Sequence, residues 1–201
     1  LGMRACAARD EVLRRSLPDG VVNILFVGRV APHKKQDDLI RFLSVYRQIN
    51  PRARLILVGS WGGTERYLAW LKSIAATLGV SAHVNFAGHV SDSELLATYQ
   101  SAHLFVCLSA HEGFCVPLVE AMALGVPIMA YASTGVPHTL GGAGVLLREK
   151  RWDVMAALAE TLLNDSALRA AIIAGQHERV KAFTPERVRA EFVAHLSTIG
   201  L

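Results

Sequence analysis

The strongest constraint on the fold is an alternation of short apolar runs with longer helical stretches. Six β-rich segments, "VVNILFVG" (21–28), "ARLILVG" (53–59), "HVNFAG" (83–88), "HLFVCLS" (103–109), "VPIMAY" (126–131) and "GVLL" (144–147), punctuate the chain. Each reads as a continuous apolar run instead of an alternating one, as strands covered on both faces do. Helical stretches are expected between them at 36–48, 64–78, 92–101 and 117–124. Ser91 followed by Glu94 forms a capping box for the third of these. This βαβα rhythm predicts an α/β domain, a doubly wound parallel sheet of about six strands with helices on both faces. After residue 150 helical periodicity fills 152–163, 166–182 and 185–197, with Asp165 and Thr184 as caps and Pro185 in a first turn. Residues 1–20 read as a charged, helical lead-in between domains, 21–183 as the sheet domain, and 184–201 as a final helix.

Composition narrows the function. No apolar run approaches the roughly 18–20 residues that cross a bilayer, and no signal-peptide pattern opens the chain. The three cysteines, Cys6, Cys107 and Cys115, have neither disulfide-framework nor zinc-site spacing, which fits a cytoplasmic setting. Between Ile24 and Arg54 seven basic residues face two acidic ones, a local excess of +5 that suggests an anionic ligand. Arg41, Arg47, Arg52 and Arg54 read as a solvated helix face. Nucleic acid is disfavoured because the stretch has no interleaved aromatic platform.

In a doubly wound sheet ligands lie at the carboxyl ends of the strands, so the residues after each strand carry the chemistry. "GRVAPHKKQDDLI" (28–40) follows the first strand. Gly28 permits close backbone approach, and Arg29 with Lys34 or Lys35 supplies cations suited to a diphosphate. The segment is neither a Walker loop nor a dinucleotide fingerprint. "HEGFCVPLVEAMALGVPIMAY" (111–131) follows the fourth strand. Gly113 is expected in a conformation closed to other residues, with Pro117 in the first helical turn. The N–H groups of Phe114, Cys115 and Val116 then form an anion site at a helix N-terminus. Glu112 lies before that helix. Glu120, read on its first turn, either complements the helix dipole or reaches the same crevice. Two carboxylates beside an anion site make sense as acceptors for flanking hydroxyls, a ribose and a sugar. A Cys115 nucleophile served by His111 is disfavoured, since nothing positions the base. The histidines lack ligand spacing, no Asp-x-Asp pair is present, and "GGAG" (141–144) reads as a turn.

Together, "ILFVGRVAPHKKQDDLI", "ARLILVGS", "VNFAGHVSDSELLATYQSAHLFVCLSAHEGFCVPLVEAMALGVPIMAY" and "GGAGVLL" resemble the C-terminal, nucleotide-sugar-binding domain of a GT-B glycosyltransferase of the retaining "group 1" family. The specific signature is Glu112 and Glu120 in the setting EGFxxPxxEAMAxGxP, downstream of GR…K. The resemblance implies that Arg29 and Lys34 hold the donor diphosphate and stabilise the leaving group. It places Glu112 on sugar hydroxyls, with backbone groups of Gly113, Phe114 and Cys115 nearby, Glu120 on the ribose, and the backbone at Val90 on the nucleobase. It further implies a GDP-, UDP- or ADP-linked hexose as donor and no metal or other cofactor. A glycan or lipid-linked acceptor is implied on an N-terminal domain outside these residues, the only route to membrane association. Cys115 stands where glycine is frequent, Lys35 where glycine usually follows the lysine, and "TGVPH" (134–138) puts His138 in place of an acid. The chain is thus expected to be the donor half of a hexosyltransferase, inactive alone. The alternatives are a non-catalytic nucleotide-sugar-binding subunit and a sugar-nucleotide epimerase.

Overall fold

A computed structural model describes residues 21–198, with the side chains of 195 and 197 left aside. The lead-in at 1–20 and the last three residues lie outside the described part. All six predicted strands form: β1 (Val22–Val27), β2 (Ala53–Val58), β3 (Val84–Gly88), β4 (Leu104–Cys107), β5 (Ile128–Tyr131) and β6 (Val145–Leu147). They build one parallel sheet in the order β3-β2-β1-β4-β5-β6. The strands between are joined by α1 (Gln36–Ile49), α2 (Glu65–Thr77), α3 (Asp92–Ser101), α4 (Val116–Ala123) and α5 (Val136–Leu140). Helices α6 (Trp152–Asn164), α7 (Ser166–Val180) and α8 (Pro185–Thr198) follow β6.

The chain winds outward from β1 through β2 to β3, returns, and winds the other way from β4 to β6. With right-handed crossovers, α1 and α2 cover one face and α4 and α5 the other. Both faces of the central strands are therefore buried, and all four residues of β4 are inaccessible, as the continuous apolar runs require. Helix α1 packs on α6, and α4 on α7. The reversal leaves a crevice at the carboxyl ends of β1 and β4, which pair in parallel with Ile24 opposite Leu104. That is the topological switch point at which such sheets take ligands.

Local signals behave as their chemistry dictates. Ser91 and Glu94 form both halves of the capping box. Asp165 accepts from the Leu168 N–H at 2.9 Å, and Thr184 Oγ1 from the Arg187 N–H at 3.4 Å. The "GGAG" turn follows α5, a short helix that the sequence did not signal. At the carboxyl end of β2, Gly59 (φ 146°) lies so close that an added Cβ would sit 2.1 Å from the Gly28 carbonyl oxygen. At Gly28 itself an added Cβ would sit 3.0 Å from the Phe26 ring, so both strand ends are tight. Arg47 and Arg54 are not simply a solvated face. Arg47 donates to the Ala53 carbonyl at 2.7 Å and Arg54 to the Asn23 side chain, tying the amino ends of β1 and β2.

Gln176 on α7 is fully buried. Its Nε2 donates to the Val126 carbonyl at 2.7 Å, and its Oε1 accepts from the Ile128 N–H at 3.0 Å. It satisfies the start of β5 where Pro127 offers no N–H. Gln176→Leu leaves a buried donor and a buried acceptor unpaired and is expected to cost at least about 2 kcal/mol in denaturant unfolding.

Candidate functional site

Two loops meet at the switch point. After β1 the chain passes Arg29, makes a 3₁₀ turn over Pro32–Lys34 and enters α1 through Lys35, which is left-handed (φ 54°). The Ala110 N–H donates to the His33 carbonyl at 2.7 Å, fastening this loop to the one after β4. Lys34 Nζ then reaches Glu112 and donates to both carboxylate oxygens, at 2.8 and 2.7 Å. Of the two lysines it is Lys34 that reaches Glu112, while Lys35 takes the left-handed position before α1. Glu112 is 6% exposed, and the Lys34 side chain 20%. Removing the lysine leaves a buried carboxylate without compensation, a loss of about 3–5 kcal/mol in comparable buried pairs.

The Glu112 backbone is held as firmly as its carboxylate. Its N–H donates to Thr134 Oγ1 at 2.8 Å, and that hydroxyl donates back to the Glu112 carbonyl at 2.6 Å. The Gly135 N–H donates to the same carbonyl at 3.0 Å. Gly135 lies so close that an added Cβ would sit 1.7 Å from the Gly113 carbonyl oxygen. The structure corrects the expectation for Gly113, whose φ is not positive; Cys115 adopts the left-handed conformation (φ 62°) and precedes α4. Pro117 does fall in the first turn. The Phe114 ring stays 44% exposed and meets Phe183 edge to face at 5.2 Å.

Glu120 is also corrected. Helix α4 begins at Val116 and has no acid in its first turn; Glu120 is its fifth residue. It is too far along to complement the helix dipole, which acts within the first turn. Instead its Oε2 accepts from the hydroxyl of Tyr99 on α3 at 2.7 Å, and Tyr99 is 1% exposed. This explains an acid in apolar text: a buried phenol that needs a partner anchors it. Burial, then the hydrogen bond and charge of Glu120, push the Tyr99 phenol well above its ordinary value.

Arg29 is exposed and donates to the Gly62 carbonyl at 2.7 Å, bracing the loop after β2 rather than touching Lys34 or Glu112. Gly28 and Val90 flank the same edge of the sheet, Val90 in the loop after β3. A row of backbone bonds, Gly28 N–H to Val58 and Gly59 N–H to Gly88, both 2.8 Å, connects those strand ends. The Cys115 thiol is 8% exposed. Its hydrogen bond to Cys107 and its burial hold it far above the ordinary thiol range, so it is no thiolate nucleophile at neutral pH. His111 and His138 are exposed; His138 offers only its carbonyl, to Arg179 at 2.6 Å. Lys150 supports the crevice from below, donating to Asp38 and to the Leu108 carbonyl, both 2.7 Å. Tyr99, Thr134 and Lys150 escaped the sequence analysis because each acts from a distant segment and belongs to no local motif.

The raised phenol of Tyr99 gives a signed pH dependence. The native state holds that proton more tightly than the unfolded chain, so its contribution is complete below about pH 10. It declines as pH rises further toward the native value. Denaturation midpoints followed through this range should fall more steeply for wild type than for Tyr99→Phe, whose neutral-pH stability is lower by about 1–3 kcal/mol.

Comparison with known proteins adds the family. A profile described as "Glycosyl transferases group 1" matches residues 11–179. The D-inositol 3-phosphate glycosyltransferase of Stackebrandtia nassauensis is 31% identical over 179 residues, covering 85% of this chain and 40% of its own. The GDP-mannose-dependent alpha-(1-6)-phosphatidylinositol monomannoside mannosyltransferase of Mycobacterium tuberculosis is 32% identical over 185 residues, 88% of this chain and 47% of its own. The chain therefore spans less than half the length of these relatives. Among solved structures, Anabaena Alr3699/HepE in complex with UDP and glucose superposes with a TM-score of 0.77 at 26% identity, covering 95% of this chain and 52% of that one. The C-terminal domain of a group 1 glycosyl transferase (LpcC) from Francisella tularensis matches in fold, with a TM-score of 0.68 over 87% of this chain and 91% of that one. The sheet is the Rossmann-like half of a GT-B fold, and the chain belongs to the group 1 glycosyl transferase family.

Proposed function

We propose that this chain is the donor-binding domain of a retaining, metal-independent hexosyltransferase that uses a GDP-, UDP- or ADP-linked hexose. The observation that carries the reading is the Lys34–Glu112 pair at the switch point. It sets a cation and a carboxylate side by side where a diphosphate and its sugar would meet. Lys34 binds the diphosphate and, with Arg29, stabilises the charge that develops on it as the sugar leaves, an electrostatic effect strengthened where water is scarce. Engagement of phosphate by Arg29 exchanges the Gly62 carbonyl for an anionic acceptor, a stronger bond. A carboxylate offers about four lone-pair sites, so Glu112 keeps acceptors for sugar hydroxyls while Lys34 is bound. Glu120, anchored by Tyr99, turns its other oxygen to the ribose hydroxyls, and the backbone at Val90 meets the base. Backbone groups of Gly113, Phe114 and Cys115 line the sugar. The UDP and glucose bound to the Anabaena protein and the GDP-mannose dependence of the mycobacterial relative support the donor class.

The acceptor is a glycan or a lipid-linked acceptor held by an N-terminal domain of the longer transferase, at the cytoplasmic side. The chain alone therefore transfers little or nothing. Among the described residues no helix is long and apolar enough to cross a membrane.

Ligand-observed NMR with UDP, GDP, ADP and their sugars tests the site. Wild type should bind at least one nucleotide, and Arg29→Ala and Glu120→Ala should each weaken it by about tenfold or more, the size of a lost charge-assisted bond. Absence of binding, or wild-type affinity in both variants, overturns the assignment. In the longer transferase, Glu112→Ala should lower kcat well beyond its effect on nucleotide affinity; equal losses would contradict a sugar-positioning role.

A further inference from the structure

Two cysteine thiols that the proposed reaction does not use converge on its central carboxylate. We propose that Cys107, Cys115 and Glu112 form a site for a borderline-soft divalent cation of the zinc type, which competes with Lys34 for Glu112. One ligand atom from each residue lies within 4.8 Å of the other two. They come from the end of β4, the residue before α4 and the loop between, and their exposures are 0%, 8% and 6%. The left-handed turn at Cys115 closes that loop on itself, so strand-end and helix-start thiols meet across seven intervening residues.

The donor set selects the ion. Two thiolates favour zinc-like cations over magnesium or calcium, and a carboxylate is an ordinary third ligand. Three atoms no more than 4.8 Å apart share a point within about 2.8 Å of each, while zinc–sulfur bonds are about 2.3 Å, so the site closes with a contraction of about half an ångström. Lys34 now donates to both oxygens of Glu112, so one of them must be given up for the ion to bind. Binding releases the two thiol protons to solvent, and the ammonium of Lys34, on a side chain 20% exposed, leaves the carboxylate for water. A doubly charged ion bonded to two thiolates and a carboxylate then replaces the lysine as the partner of Glu112. The consequence, an inhibitory ion that removes the diphosphate ligand, rests on the donor reading above; the metal site itself does not.

The test is a Co²⁺ titration of the full chain under a phosphine reductant, which keeps the thiols reduced without competing for metal. The thiolate-to-cobalt charge-transfer band is the readout. One equivalent should saturate it, Zn²⁺ should abolish it, and Cys6→Ser should retain it. Cys115→Gly and Cys107→Ala should lose it; glycine suits the left-handed position, and circular dichroism melts verify that both variants fold. Glu112→Gln should weaken cobalt by more than about tenfold, since even outer-shell partners contribute that much. Absence of the band, its survival in Cys115→Gly, or its loss in Cys6→Ser overturns the site. With zinc prebound and excess metal removed by gel filtration, affinity for the nucleotide bound best should fall by about tenfold or more. Unchanged affinity with the band intact overturns the competition, whereas a protein that binds cobalt but no nucleotide refutes the donor reading alone.

Discussion

The Lys34–Glu112 ion pair is the contact on which the rest of the site depends. It joins the loop after β1 to the loop after β4, the two segments that the reversal of winding places side by side. Glu112 is 6% exposed, and Lys34 donates to both of its oxygens, so the buried carboxylate has its charge partner. The same lysine is the diphosphate ligand proposed above. An incoming phosphate beside a bare Glu112 would meet like charge; beside the pair it meets an ammonium shared between two anions.

The surrounding structure keeps that geometry fixed. Thr134 and Gly135 grip the Glu112 backbone, and Lys150 secures the carbonyl of Leu108 just upstream. Gly59 and Gly135 let backbones approach where no side chain fits. Tyr99 fixes Glu120 from beneath, so the second carboxylate is also oriented before any ligand arrives. Fixed strand ends thus carry oriented charges, the arrangement that the proposed electrostatic role requires.

The fold was legible in the sequence because burial on both faces of a parallel strand leaves continuous apolar runs, and these are hard to mistake at "NILFV" or "HLFVC". The order of Glu112, Pro117 and Glu120 was equally legible. What the sequence could not carry was phase and partnership. Helix α4 starts one residue earlier than read, at Val116, which moves Glu120 out of the first turn. The positive φ falls on Cys115 and not on Gly113, the residue whose lack of a side chain favours it. Which lysine would reach Glu112 was not legible, because the left-handed Lys35 between a 3₁₀ turn and α1 belongs to no sequence pattern. Tyr99 and Gln176 act across 21 and about 50 residues, beyond any local pattern.

One comparison of affinities tests the central claim that Lys34, held by Glu112, is the diphosphate ligand. Calorimetric titration of UDP and GDP into wild type, Lys34→Ala and Lys35→Ala should show the better nucleotide weakened by about 10- to 100-fold in Lys34→Ala alone, as for one charge-assisted contact. Equal affinities in all three proteins, or a loss confined to Lys35→Ala, would contradict it.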